Sequence, residues 1–181
     1  MCQLLSRGAK AGVTSALLAV TLIVVWRMPV SLWLPTLLLS WALLALSLVD
    51  IRSLLLPDKL TLPLLWLGLL VSTSGWLPGM TTEQAVYGAA AGYGSLWLLS
   101  RGYRLLRSRE GLGLGDAKLL AALGAWMGVE RLPWIVLAAS LIAAASLFIA
   151  WLTVGHALDT PFPFGPALSF AGWALFLWLY G

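Results

Sequence analysis

Cysteine and histidine are almost missing from this sequence, which holds only Cys2 and His156 of the two kinds. A lone cysteine cannot close an internal disulfide, and one cysteine with one histidine forms no cluster of metal-ligand type or spacing, so a disulfide framework is excluded and structural zinc is not expected. Charge is scarce as well. Only 10% of the 181 residues are charged, against 61% hydrophobic, and the mean hydropathy is +0.94. Soluble domains carry about 25% charged residues. Water is therefore not the main solvent of this chain, whose repeated apolar stretches exceed what one soluble core hides.

Those stretches fall at about residues 11–26, 31–49, 60–77, 84–100, 111–129, 133–154 and 164–180. Hydrocarbon offers no partner to a backbone N–H or C=O, so each is expected as a helix and not as an open strand. The fold class is accordingly all-α, a polytopic membrane helix bundle of about six to seven transmembrane helices that forms a single membrane-embedded domain over residues 1–181. The range comes from the fifth run, where only residues 119–129 are continuously apolar, whereas a span needs about 20 residues at 1.5 Å each. The first run follows Arg7 and Lys10 as in a signal peptide, yet no small-residue cleavage site precedes Trp26, Arg27 and Pro29. It is expected to stay as a signal anchor.

In a seven-span arrangement Arg7, Lys10, Arg52, Lys59, Arg101, Arg104, Arg107, Arg109 and Lys118 fall on one side, and only Arg27 and Arg131 on the other. This asymmetry puts the N-terminus and the loops at 50–59 and 101–118 in the cytoplasm and the C-terminus outside. The arginines from Arg101 to Arg109 read as a juxtamembrane loop facing anionic membrane lipids. No nucleic-acid motif or stacking platform surrounds them, so nucleic acid is not an expected partner despite a pI near 9.6. The eleven tryptophans are expected mainly at the membrane interface. Gly88 with Gly92, and Gly124 with Gly128, are small-xxx-small pairs that allow helices to approach closely.

Acids number seven, and three of them, Asp50, Asp58 and Asp116, adjoin apolar helices on the same expected face. Ionisable groups beside a membrane segment are costly and point to function. Asp50 ends the run Leu43-Leu44-Ala45-Leu46-Ser47-Leu48-Val49, while Asp116 closes Gly111-Leu112-Gly113-Leu114-Gly115-Asp116. The alternating glycines let the backbone come close to a peptide before a helix expected to begin at Ala117. Taken singly, Asp116 reads as an N-cap and Asp50 as an interfacial charge paired with Arg52 or a lysine. Taken together on one face, they fit two-carboxyl peptide hydrolysis. One carboxylate accepts a proton from water, and the protonated partner donates to the scissile carbonyl and then to the leaving amine.

The stretch Asp50-Ile51-Arg52-Ser53-Leu54-Leu55-Leu56-Pro57-Asp58, continuing to Leu69, closely resembles the first motif of bacterial type IV prepilin peptidases. Gly113-Leu114-Gly115-Asp116-Ala117-Lys118, running on to Trp126, resembles their second, the glycine-x-glycine-aspartate signature, and Pro161-Phe162-Pro163-Phe164-Gly165-Pro166 resembles a third. The likeness extends with gaps from about residue 40 to the C-terminus. It implies an aspartic endopeptidase of the bacterial inner membrane, active at the cytoplasmic face. Its substrates would be type IV prepilins or type II secretion pseudopilins, cut after the glycine that precedes their hydrophobic helix.

The catalytic pair of the family falls on Asp50 and Asp116, and Asp58, Gly113, Gly115 and Lys118 take supporting places. Asp58 is expected to cap or orient the chain beyond Pro57, and Asp58 and Glu110 are the expected contacts for a basic leader. No cofactor and no metal are implied. Many members carry an N-terminal region with paired cysteines, linked to methylation of the new N-terminus. With only Cys2 present, the expectation is a peptidase without methyltransferase activity.

Other readings compete. A relative in the same GxGD superclass, cleaving signal peptides or helices within the membrane, uses the same aspartates. A proton-coupled carrier would show internal repeats or interrupted helices in matching halves, and no convincing repeat is present. An inert secretion-assembly scaffold would keep the packing glycines but has no need of both aspartates.

Overall fold

The computed structural model describes residues 7–107, 113–154 and 162–181. They form seven α-helices: α1 (Arg7–Arg27), α2 (Trp33–Ser53), α3 (Asp58–Thr73), α4 (Thr82–Arg107), α5 (Leu114–Met127), α6 (Leu132–Val154) and α7 (Gly165–Tyr180). Short 3-10 turns at Val30–Leu32 and Val129–Arg131 lead into α2 and α6. Among the described residues there is no strand. Two stretches, Val30–Ser53 and Val129–Thr153, are long and apolar enough to cross a membrane by length and composition. Cys2, Arg109, Glu110, Gly111, Leu112, His156 and Pro161 lie outside the described residues.

The helix boundaries have local causes. At the end of α2, Leu54 adopts a left-handed conformation, φ 52°, and its N–H donates to the Asp50 carbonyl at 2.8 Å. That bond closes the last turn of α2. Pro57 then bars helical geometry at Leu56 and occupies the N-cap position of α3. Apolar run four extends beyond expectation: α4 continues to Arg107, so Arg101, Arg104 and Arg107 stand on helix and not in a loop. Arginine and leucine are good helix formers, and long cationic side chains reach water from a helix end. Arg101 lies 5.7 Å over the ring of Trp97, one turn earlier.

The centre of the bundle is α5, which packs against α3, α4 and α7. From Asp116 to Met127 every residue except Lys118 is buried. At 14 residues this helix is about 21 Å long at 1.5 Å per residue, shorter than the roughly 30 Å hydrocarbon core. Protein surrounds it, so its length need not match a bilayer. Trp126 is fully buried, and its indole N–H donates to the Leu64 carbonyl at 2.9 Å. Its ring meets Phe176 edge-on at 6.0 Å. This tryptophan belongs to the core and departs from the interfacial default, because its one polar atom finds a carbonyl inside. Trp26 and Trp178 remain exposed.

Backbone contact joins α4 to α5. A Cβ on Gly88 would run into the Gly124 carbonyl, and one on Gly92 would lie 2.6 Å from the Leu120 carbonyl oxygen. Gly128 borders the same contact, its carbonyl carbon lying 3.0 Å from where a Cβ on Gly88 would stand. With φ +81° it ends α5, donating its N–H to Gly124 at 2.8 Å. Gly88→Ala should therefore destabilise the fold by about 1–3 kcal/mol through overpacking. Gly94→Ala on the same helix, where a Cβ meets nothing within 4 Å, should be neutral or stabilising by up to about 1 kcal/mol. Thermal unfolding in detergent separates the two, and equal midpoints would remove the glycine contact as a stabilising feature.

The bundle has two distinct ends. The end of α2 and the starts of α5 and α7 gather at one, through contacts of Gly165 with Asp50 and of Gly115 with Leu56. The ends of α1 and α7 meet at the other, where Gly181 approaches Arg27 and Met28.

Candidate active site

Asp50 lies in the last turn of α2 and is 5% exposed. Four residues later the chain has left the helix, and the space over the carboxyl is taken by the start of α7. Gly165 is the first residue of that helix, and Pro166 follows it with its fixed φ, a residue suited to a first helical turn. The first N–H groups of a helix have no intrahelical acceptor. The Gly165 N–H donates to Asp50 Oδ2 at 3.0 Å. A Cβ on Gly165 would stand 2.6 Å from that oxygen and 3.0 Å from the carboxyl carbon, so a side chain there would force the carboxyl or the start of α7 to shift.

Asp116 comes from the first turn of α5. The helix begins at Leu114, three residues before the expected Ala117, with Gly113 at the N-cap position in extended geometry. Asp116 is thus not an N-cap, and no side-chain cap is formed. The Asp116 N–H closes the turn onto the Gly113 carbonyl at 3.2 Å, leaving the carboxyl free to point elsewhere. The side chain is 9% exposed. Gly115 allows α5 to sit against the connection after α2, since a Cβ there would be 2.9 Å from the Leu56 Cβ. Gly113 has more room, its nearest neighbour for a Cβ being Asp116 Oδ2 at 3.8 Å.

These two approaches bring the Asp50 and Asp116 carboxyls close enough for the charge of one to act on the other. Among the described residues neither forms an ion pair. Arg52 is exposed and does not pair with Asp50. Two nearly buried carboxyls on separate helices, one of them fixed by a backbone donor, are equipped for proton transfer in both directions.

Asp58 and Lys118 form a second arrangement. Asp58 is the first residue of α3, but Pro57 holds the cap position and no side-chain cap is made. The expected capping role is replaced by an ion pair, in which Lys118 Nζ donates to Asp58 Oδ1. Lys118, two residues after Asp116, lies on a different side of α5 from it. The contact ties the start of α3 to α5 at the same end of the bundle.

Gly165 is the residue that sequence reasoning missed. It stood within the third motif without a role. The signal was a glycine-proline pair at the start of an apolar run, which marks a helix start at a position lacking a Cβ.

Residues 37–149 match the type IV leader peptidase family. That interval contains Asp50, Asp58, Gly113, Gly115, Asp116 and Lys118. The chain is 48% identical over 145 residues to the prepilin leader peptidase/N-methyltransferase of Aeromonas hydrophila, covering 80% of this chain and 49% of that protein. To the Pseudomonas aeruginosa protein of the same description it is 48% identical over 143 residues, 78% of this chain and 48% of the other. The Neisseria gonorrhoeae counterpart is 43% identical over 140 residues, 77% and 47% of the two chains. The chain thus spans about half the length of the curated relatives it matches. No solved structure matches it.

Proposed function

Because the chain belongs to the type IV leader peptidase family, we propose that it is a membrane aspartic endopeptidase with Asp50 and Asp116 as its catalytic carboxyls. Its substrates are type IV prepilins or type II secretion pseudopilins, from which it removes the short basic leader. The observation that carries this reading is the approach of two buried carboxyls from α2 and α5. Peptidase activity is assigned to these 181 residues because the family match over residues 37–149 includes both carboxyls.

The ionised carboxylate takes a proton from a water molecule as the water oxygen bonds to the scissile carbonyl carbon. The protonated partner gives its proton to the carbonyl oxygen. Collapse of the tetrahedral intermediate then breaks the C–N bond, with a proton delivered to the leaving nitrogen. Like charges at this range do not both ionise cheaply, so the pair shares a proton and titrates as one unit. Gly165 holds Asp50 in register while this happens.

The chain is a single multi-pass domain of the bacterial inner membrane, with six to seven crossings and the aspartate end at the cytoplasmic face. The lysine and arginine distribution supports that orientation. A prepilin suits it, since the basic leader stays at the surface while the apolar helix lies in the bilayer. Co-expression with a candidate prepilin in cells lacking such a peptidase provides the test. A shortened product should appear with the wild-type chain and not with Asp50→Asn or Asp116→Asn at equal membrane level. No processing of several prepilins by the wild type would reject the assignment.

The Asp58–Lys118 pair is partly exposed, 56% and 28%, and such pairs contribute at most about 1 kcal/mol to stability. Its effect on cleavage is through position. Lys118→Asp or Asp58→Lys alone should lower kcat by up to about tenfold, and the double swap should restore most of it. A swap no better than the worse single variant would sink the positional role.

A further inference from the structure

Among the described residues two hydrogen bonds join α2 to α7, and they stand far apart along the shared face. One is the Gly165 N–H to Asp50 Oδ2 at 3.0 Å. In the other the Trp173 indole N–H donates to Ser40 Oγ at 2.9 Å. Ser40 precedes Asp50 by ten residues and Trp173 follows Gly165 by eight, which is about 15 Å and about 12 Å along two antiparallel helices.

Ser40 is prepared for its partner. It is 2% exposed, and its hydroxyl donates to the Thr36 carbonyl at 2.6 Å. With the proton committed there, the oxygen offers a lone pair to the indole. Phe170, three residues before Trp173, packs its ring beside the indole with centroids 6.2 Å apart. Between the two bonds the helices are separated by an apolar groove of about 220 Å³, with Leu43, Leu44 and Ser47 on the α2 wall and Ser169 on the α7 wall. There Ser47 turns its hydroxyl back to the Leu43 carbonyl of its own helix, and the Ser169 hydroxyl has no partner. Elsewhere α7 is held by apolar packing, as where Gly172 meets Leu123 of α5. Apolar burial is non-directional, so polar bonds fix the rotation of such a helix. Turning α7 by about 20° moves a Cα on its radius of about 2.3 Å by about 0.8 Å. That shift carries the Gly165–Asp50 bond beyond the usual range of about 2.7–3.2 Å.

We propose that Trp173 and Ser40 are positioning residues for the leader cleavage: their hydrogen bond sets the rotation and register of α7 on α2 and so places the Gly165 N–H on the Asp50 carboxyl. The catalytic effect rests on the peptidase reading above, whereas the effect on Gly165 does not. An unpaired indole N–H is costly in an apolar setting. The helix therefore keeps the rotation at which Trp173 is paired, and at that rotation Gly165 reaches Asp50.

Hydrogen exchange at the Gly165 amide tests this linkage without turnover. In protein isotope-labelled at glycine, the Gly165 resonance is the one that Gly165→Ala removes. Ser40→Ala should speed exchange there at least tenfold, and so should Trp173→Phe, which keeps a ring but has no N–H. The amides of Gly88 and Gly124, in the α4–α5 contact, should stay within twofold. Unchanged exchange at Gly165 in both variants overturns the proposal, as does equal acceleration at all three glycines, which marks a loosened bundle. In the active enzyme each variant should lower kcat about tenfold, a part of the roughly 10²-fold cost of a 1 Å misplacement, with KM within threefold. The double variant should match the slower single one within twofold, because both remove the same bond. Beside Gly165→Ala, Ser40→Ala should cost less than twofold. A raised KM with unchanged kcat, or a tenfold loss that persists beside Gly165→Ala, overturns the positioning role. If the exchange pattern holds while the wild type cleaves no prepilin, the peptidase reading fails and the linkage through α7 stands.

Discussion

Asp50→Asn and Asp116→Asn should each lower kcat for the proposed leader cleavage by at least about 10³-fold, and the double variant should be no slower than the slower single one. Acid–base catalysis by a positioned side chain contributes about 10²–10⁴-fold. Residues that act as one unit lose nearly everything with the first removal. The change is nearly isosteric. An asparagine at position 50 keeps an oxygen for the Gly165 N–H, 3.0 Å away in the wild type, so the α2–α7 contact is retained while proton exchange is lost.

Stability should move in the opposite direction to activity. Two buried carboxyls within electrostatic range oppose folding, and removing one relieves that opposition. Both variants are therefore expected to unfold at or above the wild-type temperature in detergent. A merely structural role predicts the reverse, a lower midpoint with cleavage reduced in proportion. Single-turnover cleavage of purified protein, measured beside thermal unfolding, distinguishes the cases. Retention of cleavage within tenfold by either variant removes that aspartate from the mechanism.

Much of this site can be read from the chain because its signals are local. Pro57 marks the break after α2, the glycines of Gly113-Leu114-Gly115-Asp116 mark a backbone that must approach something, and apolar runs mark the helices. What is hidden is the pairing of distant segments. The Gly165–Asp50 bond spans 115 residues and the Lys118–Asp58 bond spans 60, and no periodicity reports either. Helix faces are hidden for a related reason. In α6 and α7 apolar residues lie on every side, so there is no polar face to set direction, and helices in lipid and helices in a protein core look alike. The central helix α5 shows the consequence: its short run looked like an incomplete span, whereas burial by its neighbours removes any need for spanning length. Trp126 was hidden in the same way, since an indole at an interface and one bonded to Leu64 inside the core have the same sequence context.

Gly165→Ala should reduce kcat about 100-fold while KM changes less than threefold. The added methyl group would fall 2.6 Å from Asp50 Oδ2, inside the distance that carbon and oxygen tolerate. Either the carboxyl turns away from the N–H or the start of α7 is pushed outward, and both outcomes end the hydrogen bond that fixes Asp50. A displacement of about 1 Å from the productive geometry costs about 10²-fold. The three atoms nearest to the added methyl group all belong to Asp50, hence the small change expected in KM. The decisive comparison is made in the Asp50→Asn background. There the carboxyl has already lost its chemistry, so Gly165→Ala should lower the residual rate by less than threefold. If the same 100-fold loss persists in that background, Gly165 acts on the fold and not through Asp50. If Gly165→Ala alone leaves kcat within threefold of the wild type, the start of α7 has no part in holding the carboxyl.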